Sequence, residues 1–520
     1  MNTNEKISDK QILYLTVSIG ILIRIAFIPF IQNTDADAVS RIFIAENWLE
    51  NPRFLTEGIW PPLHYYFNSF AILISGERIY SPMLLHIVIT CLTVIPLFHF
   101  TKREFSPKGA WFTIAFYLLC PIVFRNSFLA LSELPHAFFI AMAMNSISKS
   151  IRFNDIKQAI YAGLFMTIAA GFRYEAWLLI ALFTFVYLLF KNYKLVVYFW
   201  CFSMIFPLFW MIGNYMAHHD FLYGLSGAYN WNIVAEGVND EVLFGHNVER
   251  FIYFPFSWFF LYSPLIVILL IRVLFKKIST KQLIKSRILW SLPFLIMFIV
   301  FIYKTVEGTL LMQHRFTITL LLLSAPFISL IIETIQCNRF KKISISIILV
   351  SLLPMSYVWM KIPYEKLFKF SDTLHYVFAH IREGSQDTFE AIPRISNQDF
   401  VVYSKLINRE LKKDSGLILD FTSWDNTFYL AVNSNVMSKQ VFILDGSKNG
   451  GTDLENLKER MQKYPKGVFL INHNSRFSKN HKIEGTSLFL DATCELKVSM
   501  IKKDKDVSIF RYELKNLPRI

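Results

Sequence analysis

Two carboxylates, Asp35 and Asp37, sit in the run TDADAVSRIFIAENWL directly after the first long apolar stretch of the chain. Carboxylates beside a membrane helix are costly unless they are solvated or used, so this pair is the first place to look for chemistry. Both could cap a short helix expected at 38–50, a task Asp does well. One cap needs one Asp, which leaves the other to accept a proton or to hold a cation. Further ionisable residues recur at the ends of later apolar runs. Arg125, Glu133 and His136 lie in RNSFLALSELPHAFF, Arg173 and Glu175 in GFRYEAW, and Glu307, His314 and Arg315 in KTVEGTLLMQHRF. Carboxylates can move protons, and Arg, His or Lys can stabilise a departing anion, Arg by forked contacts suited to phosphate.

Each of these residues has a plainer use. Glu133 could form a capping box with Ser132, and Arg173 could pair with Glu175. Arg315 could snorkel to lipid headgroups, and His136 could be a structural partner at a helix start. His218, His219 and Asp220 look like a metal cluster on paper, but adjacent histidines point in different directions.

The elements that carry these residues are membrane helices. Of 520 residues, 54% are hydrophobic and 16% aromatic, and mean hydropathy is +0.38, more apolar than ordinary soluble domains. Net charge is +14, yet Lys and Arg cluster in short links between apolar runs, as membrane orientation requires, so nucleic acid is not the expected partner. Of five cysteines only Cys494 lies in the polar C-terminal region, so no disulfide is expected within it. The N-terminal apolar stretch has no small-residue cleavage site after it and reads as an uncleaved first helix.

About eleven transmembrane helices are expected, near 11–31, 81–101, 109–125, 133–150, 158–172, 175–191, 195–216, 251–274, 287–304, 316–336 and 343–361. Every even-numbered exit is basic, from Lys102 and Arg103 through Lys149 and Arg152 to Arg339 and Lys341. The positive-inside rule then places these exits and the N-terminus in the cytoplasm, and the odd-numbered exits outside. The unusual polar residues gather on that outer face, in a first loop of 32–80, two short turns, a loop of 217–250 and the turn carrying Arg315. One-sided clustering of ionisable groups at a membrane boundary marks a site.

The division read from the sequence is a membrane domain over 1–362 and an extracytoplasmic α/β domain over 363–520. In the second, apolar strands at 416–420, 441–444 and 467–471 alternate with helices at 425–434 and 453–463, which predicts a parallel sheet. Gly446, Gly450 and Gly451 match neither nucleotide fingerprint. A lid or acceptor-docking role is expected for it.

Trp60-Pro61-Pro62-Leu63-His64-Tyr65-Tyr66 follows the acidic run and precedes the next apolar span. This order resembles the first external loop of the GT-C glycosyltransferases, integral membrane enzymes that take sugars from polyprenyl-phosphate donors. The protein mannosyltransferases (glycosyltransferase family 39-like) and the aminoarabinose transferases are the branches it looks most like. The resemblance covers residues 10–190 and, loosely, 300–330. It departs at Trp60, where aminoarabinose transferases place a donor-contacting Lys.

The resemblance implies a polytopic helical GT-C-like fold in a bacterial or archaeal cell membrane, with catalysis on the extracytoplasmic face. It implies transfer, with inversion, of a sugar from a polyprenyl-phosphate donor to a lipid, glycan or protein acceptor. Aligning IAENWLENP with the equivalent helix in aminoarabinose transferases places Asp37 on the family's essential aspartate, as the base, with Asp35 as helper. Glu133 falls on a second acidic motif of the related oligosaccharyltransferases. Arg315 matches a phosphate-facing Arg, and His314, Arg173, Glu175, Arg125 and His64 join it as expected substrate-binding residues. No organic cofactor is expected; a divalent cation, Mg or Mn, would take Asp35 or Glu133. The rival readings are a transporter or flippase for lipid-linked glycan, against which no internal repeat is found, and an envelope polysaccharide polymerase or ligase.

Overall fold

A computed structural model describes residues 8–30, 35–236, 243–261, 264–279, 285–334, 346, 399–444, 454–481, 483–491 and 494–516. The chain forms two compact units that do not follow chain order. One comprises Met1–Ile31, Phe54–Tyr66 and Met83–Ala391; the other comprises Gln32–Arg53, Phe67–Pro82 and Ile392–Ile520. The acidic segment after the first apolar stretch is therefore in the unit of the C-terminal sheet. The boundary expected at 362/363 lies outside the described residues.

The helices are α1 (Asp9–Phe27), α2 (Ala36–Glu50), α3 (Leu63–Ser75), α4 (Tyr80–Leu92), α5 (Val94–Glu104), α6 (Gly109–Leu119) and α7 (Pro121–Asn126). There follow α8 (Glu133–Phe153), α9 (Ile156–Phe172), α10 (Glu175–Leu189), α11 (Tyr193–Ser203), α12 (Ile205–His218) and α13 (Tyr223–Glu236). The last described helices of the membrane unit are α14 (Leu243–Leu261), α15 (Pro264–Ser279), α16 (Lys285–Val306) and, after a short turn His314–Phe316, α17 (Thr317–Thr334). A capping box at Ser8 and Gln11 starts α1.

Among the described residues, four stretches are long and apolar enough to cross a bilayer: Asp9–Phe27, Tyr80–Glu104, Arg287–Val306 and His314–Ile332. The pair α11 and α12, bent by 42°, is a fifth if it forms one span, and α6, α9 and α10 are shorter apolar helices. Prolines explain why so many expected spans are interrupted. A proline cannot donate to the carbonyl four residues earlier and its ring clashes with it, so the preceding helix ends there. Pro96 lies four residues after Leu92, where α4 ends, and Pro207 four after Ser203, where α11 ends. Pro121 opens α7. The stretch expected as one span at 251–274 is two helices, with Pro264 opening the second. Two helices, α3 and α13, lie where only loops were expected. The expected span at 343–361 falls outside the described residues.

The core of the membrane unit is formed chiefly by α5, α6, α8, α9, α10 and α17. Small residues let these backbones touch. A Cβ on Gly109 of α6 would stand 2.6 Å from the Ser329 carbonyl oxygen of α17.

In the other unit, among the described residues, seven strands form one sheet in the order β2-β1-β3-β7-β6-β5-β4. Their ranges are β1 Gly416–Asp420, β2 Val441–Leu444, β3 Lys466–Asn472, β4 Ile483–Glu484, β5 Ser487–Phe489, β6 Glu495–Lys503 and β7 Val507–Asn516. The half read from the sequence is parallel as expected, with Leu417 opposite both Val441 and Val468. From β3 onward the pairing is antiparallel, and β4 to β7 were not anticipated. Helices Trp424–Val432 and Leu454–Lys463 link the parallel strands. The Asp420 carboxylate at the end of β1 accepts from the Asn472 amide at 3.0 Å and from the Ser475 hydroxyl. Burial pushes its carboxyl up to about 6, against those two bonds, which lower it.

Candidate functional site

The membrane unit brings together most of the ionisable residues singled out by sequence. Glu133 is the first residue of α8, and Glu175 opens α10, two residues after Arg173, the C-cap of α9. The Arg173 guanidinium grips both acids: Nη1 donates to Glu133 Oε1 at 2.6 Å and Nη2 to Glu175 Oε1 at 2.7 Å. Nη1 also donates to the Ser132 hydroxyl at 3.1 Å. Ser132, expected as a cap, makes no side-chain cap bond and serves instead as a partner of Arg173.

The turn His314–Phe316 brings a second guanidinium to the same carboxylate, with Arg315 Nε 3.3 Å from Glu133 Oε1. Arg315 is 5% exposed, too buried for a side chain reaching headgroups. The His314 ring bonds the Ser257 hydroxyl at 2.9 Å and stacks on Tyr253 at 5.2 Å. The buried Arg125 of α7 lies within electrostatic reach of His314.

Taken together, Arg173, Arg315, Glu133 and Glu175 meet in a buried setting, where each ion is expensive unless paired. Glu133 is held by two guanidiniums, those of Arg173 and Arg315. Among the described residues, no group of three His, Cys, Asp or Glu side chains is arranged to hold a metal ion.

Two buried residues, of which Phe316 belongs to this cluster, were missed by sequence reasoning. Phe316 lies under both guanidiniums, with Cζ of Arg173 at 4.7 Å and of Arg315 at 5.6 Å from its ring centroid. Such stacking favours Arg over Lys; Phe316 follows Arg315 directly, which was the available signal. Arg24, inside α1, is 2% exposed and donates to the Ser127 hydroxyl at 3.0 Å and the Leu118 carbonyl at 2.8 Å. A lone charge within an apolar run marked it.

His136 is buried, and its Nδ1 donates to the Ala169 carbonyl at 3.1 Å, the structural role expected. His64 is buried on the first turn of α3, its ring 3.8 Å from that of Tyr65. His218 pairs with the Glu57 carboxylate and stacks on Tyr223 at 3.6 Å, while Asp220 accepts from Ser226. The chain before His64 is held tightly: Gly58 N donates to Asn214 Oδ1 at 2.8 Å, and a Cβ on Gly213 would stand 1.8 Å from the Thr56 carbonyl oxygen. Trp60 meets Trp231 edge to face.

Asp35 and Asp37 belong to the other unit. Asp35 is the N-cap of α2, its Oδ1 accepting from the amides of Asp37 and Ala38, each at 3.1 Å. Asp37 stands in the first turn; its amide serves that cap and its carbonyl accepts from the Ser40 hydroxyl at 3.0 Å. One aspartate is thus the cap of α2 and the other stands inside its first turn.

Residues 60–212 match the model of a family described as dolichyl-phosphate-mannose-protein mannosyltransferase. No match was found among curated proteins. In fold, the chain is similar to ArnT from Cupriavidus metallidurans bound to undecaprenyl phosphate, at 9% identity and a TM-score of 0.64, over 97% of this chain and 98% of that one. Its apo form matches at 9% identity and 0.61, over 96% and 97%. An Archaeoglobus fulgidus oligosaccharyltransferase tethered with an acceptor peptide matches at 10% identity and 0.50, over 91% of this chain and 70% of that one.

Proposed function

We propose, on the premise that this chain has the GT-C fold of membrane glycosyltransferases, that it transfers a sugar from a polyprenyl-phosphate donor to a lipid, glycan or protein acceptor at the outer face of the membrane. The observation that carries this reading is the buried cluster of Arg173 and Arg315 with Glu133 and Glu175, with Arg125 buried within electrostatic reach of His314 in the same turn as Arg315. A solved relative in fold over nearly the whole chain is bound to undecaprenyl phosphate, and the family matched by residues 60–212 is described by a dolichyl-phosphate sugar. The even-numbered basic exits support the outward orientation.

In the reaction, an acceptor hydroxyl or amine attacks the anomeric carbon as the bond from that carbon to the phosphate oxygen breaks. The bonding pair leaves on the phosphate, whose charge Arg315 and Arg125 stabilise, and the acceptor proton passes to Asp37. Asp35 holds the helix start that carries Asp37. Arginine rather than a divalent cation balances the phosphate charge in this scheme, because Glu133 is already bound by two guanidiniums.

Arg315→Lys tests the phosphate role. Lys keeps the charge but loses the fork and the stacking on Phe316. The donor's apparent KM should rise roughly tenfold, a loss of about 1.4 kcal/mol, with the acceptor's KM little changed. Equal damage to both substrates, or none, would argue for a structural arginine.

A further inference from the structure

We propose that the C-terminal α/β domain is the positioning scaffold of the acidic helix, and that Phe428 and Arg78 set the placement of Asp37. This inference rests on the assignment of Asp37 as the base.

Three contacts hold α2 against the sheet domain. Phe43 meets Phe428 of helix Trp424–Val432 edge to face at 5.6 Å, and it packs on the core formed by Phe400, Tyr403, Leu417 and Leu419. Glu46 accepts from Arg78 at 3.0 Å, and the same guanidinium donates to the Ser434 carbonyl, so one side chain ties α2 to the domain. Glu50 accepts the Lys439 amide at 3.2 Å. A fourth bond, from the Ser69 hydroxyl to the Ala45 carbonyl at 2.9 Å, fixes α2 to α3.

The spacing gives these contacts a direction. Residues 43, 46 and 50 are three and four apart and so form one stripe along the helix. At about 100° per residue, Asp37 lies roughly 150° round the helix from that stripe. The domain therefore grips the back of α2, and the face bearing Asp37 is turned away from the grip. Asp35 caps the same end, so the orientation of the first turn is fixed from both sides.

A positioning role predicts non-additivity, because Phe428 would act only through Asp37. Phe428→Ala should lower kcat by about tenfold with the donor's KM within twofold, and Phe428→Leu should restore most of the rate. Arg78→Ala, which cuts a separate tie, should repeat the kcat effect if the aromatic variant folds poorly. In the Asp37→Asn background, Phe428→Ala should change the residual rate by less than twofold. The same tenfold loss in both backgrounds would overturn the positioning proposal while leaving Asp37 as the base. An Asp37→Asn single variant that keeps its rate would instead remove the base assignment itself.

Discussion

Asp37→Asn is expected to abolish sugar transfer while the protein still folds and extracts from membranes at normal yield. Loss of a general base costs about two to four decades in rate. Asn keeps the shape of Asp and the backbone amide and carbonyl through which residue 37 bonds Asp35 and Ser40. Asp35→Asn costs far less, since Asn caps a helix as well as Asp. Turnover of the purified variants checks this, and an Asp37→Asn enzyme keeping more than roughly a third of the wild-type rate is not missing its base.

Arg173→Ala is expected to fail earlier, in folding. Arg173 holds Glu133 at 2.6 Å and Glu175 at 2.7 Å, with side chains 3% and 15% exposed. Removing one partner of a buried ion pair leaves uncompensated charge and costs on the order of 3–5 kcal/mol. Arg315, 3.3 Å from Glu133, relieves one acid but not the other. Thermal unfolding in detergent should show a large drop in Tm for Arg173→Ala and a smaller one for Arg173→Lys. An unchanged Tm with activity lost would make Arg173 a substrate contact rather than the tie that holds the two acids.

Much of the membrane cluster was legible because of charge bookkeeping along the chain. The basic even-numbered exits assigned Glu133, Arg173, Glu175 and Arg315 to one side, and the structure brings these residues together. The parallel strands were equally visible, since strands buried on both faces read as continuous apolar runs such as Gly-Leu-Ile-Leu. The antiparallel β6 has a half-solvated alternation, Leu496 and Val498 inward with charged residues between, which is a weaker signal. Proline breaks within apolar stretches kept Pro264 from being seen as the start of a separate helix. The partnership of α2 with the sheet domain was not readable at all. It depends on Phe43 meeting Phe428 and on Arg78 joining Glu46 to the Ser434 carbonyl 356 residues further on, pairings that no local pattern records.

The central claim is use of a polyprenyl-phosphate sugar as donor. The direct measurement incubates the purified wild-type protein with a panel of radiolabelled polyprenyl-phosphate sugars and membrane-extract acceptors, with and without chelator. The account predicts that one donor loses its label to an acceptor, that polyprenyl phosphate is released in equal amount, and that chelator leaves the rate unchanged. Movement of intact labelled lipid across vesicles with no transfer to any acceptor would contradict it and mark a transporter.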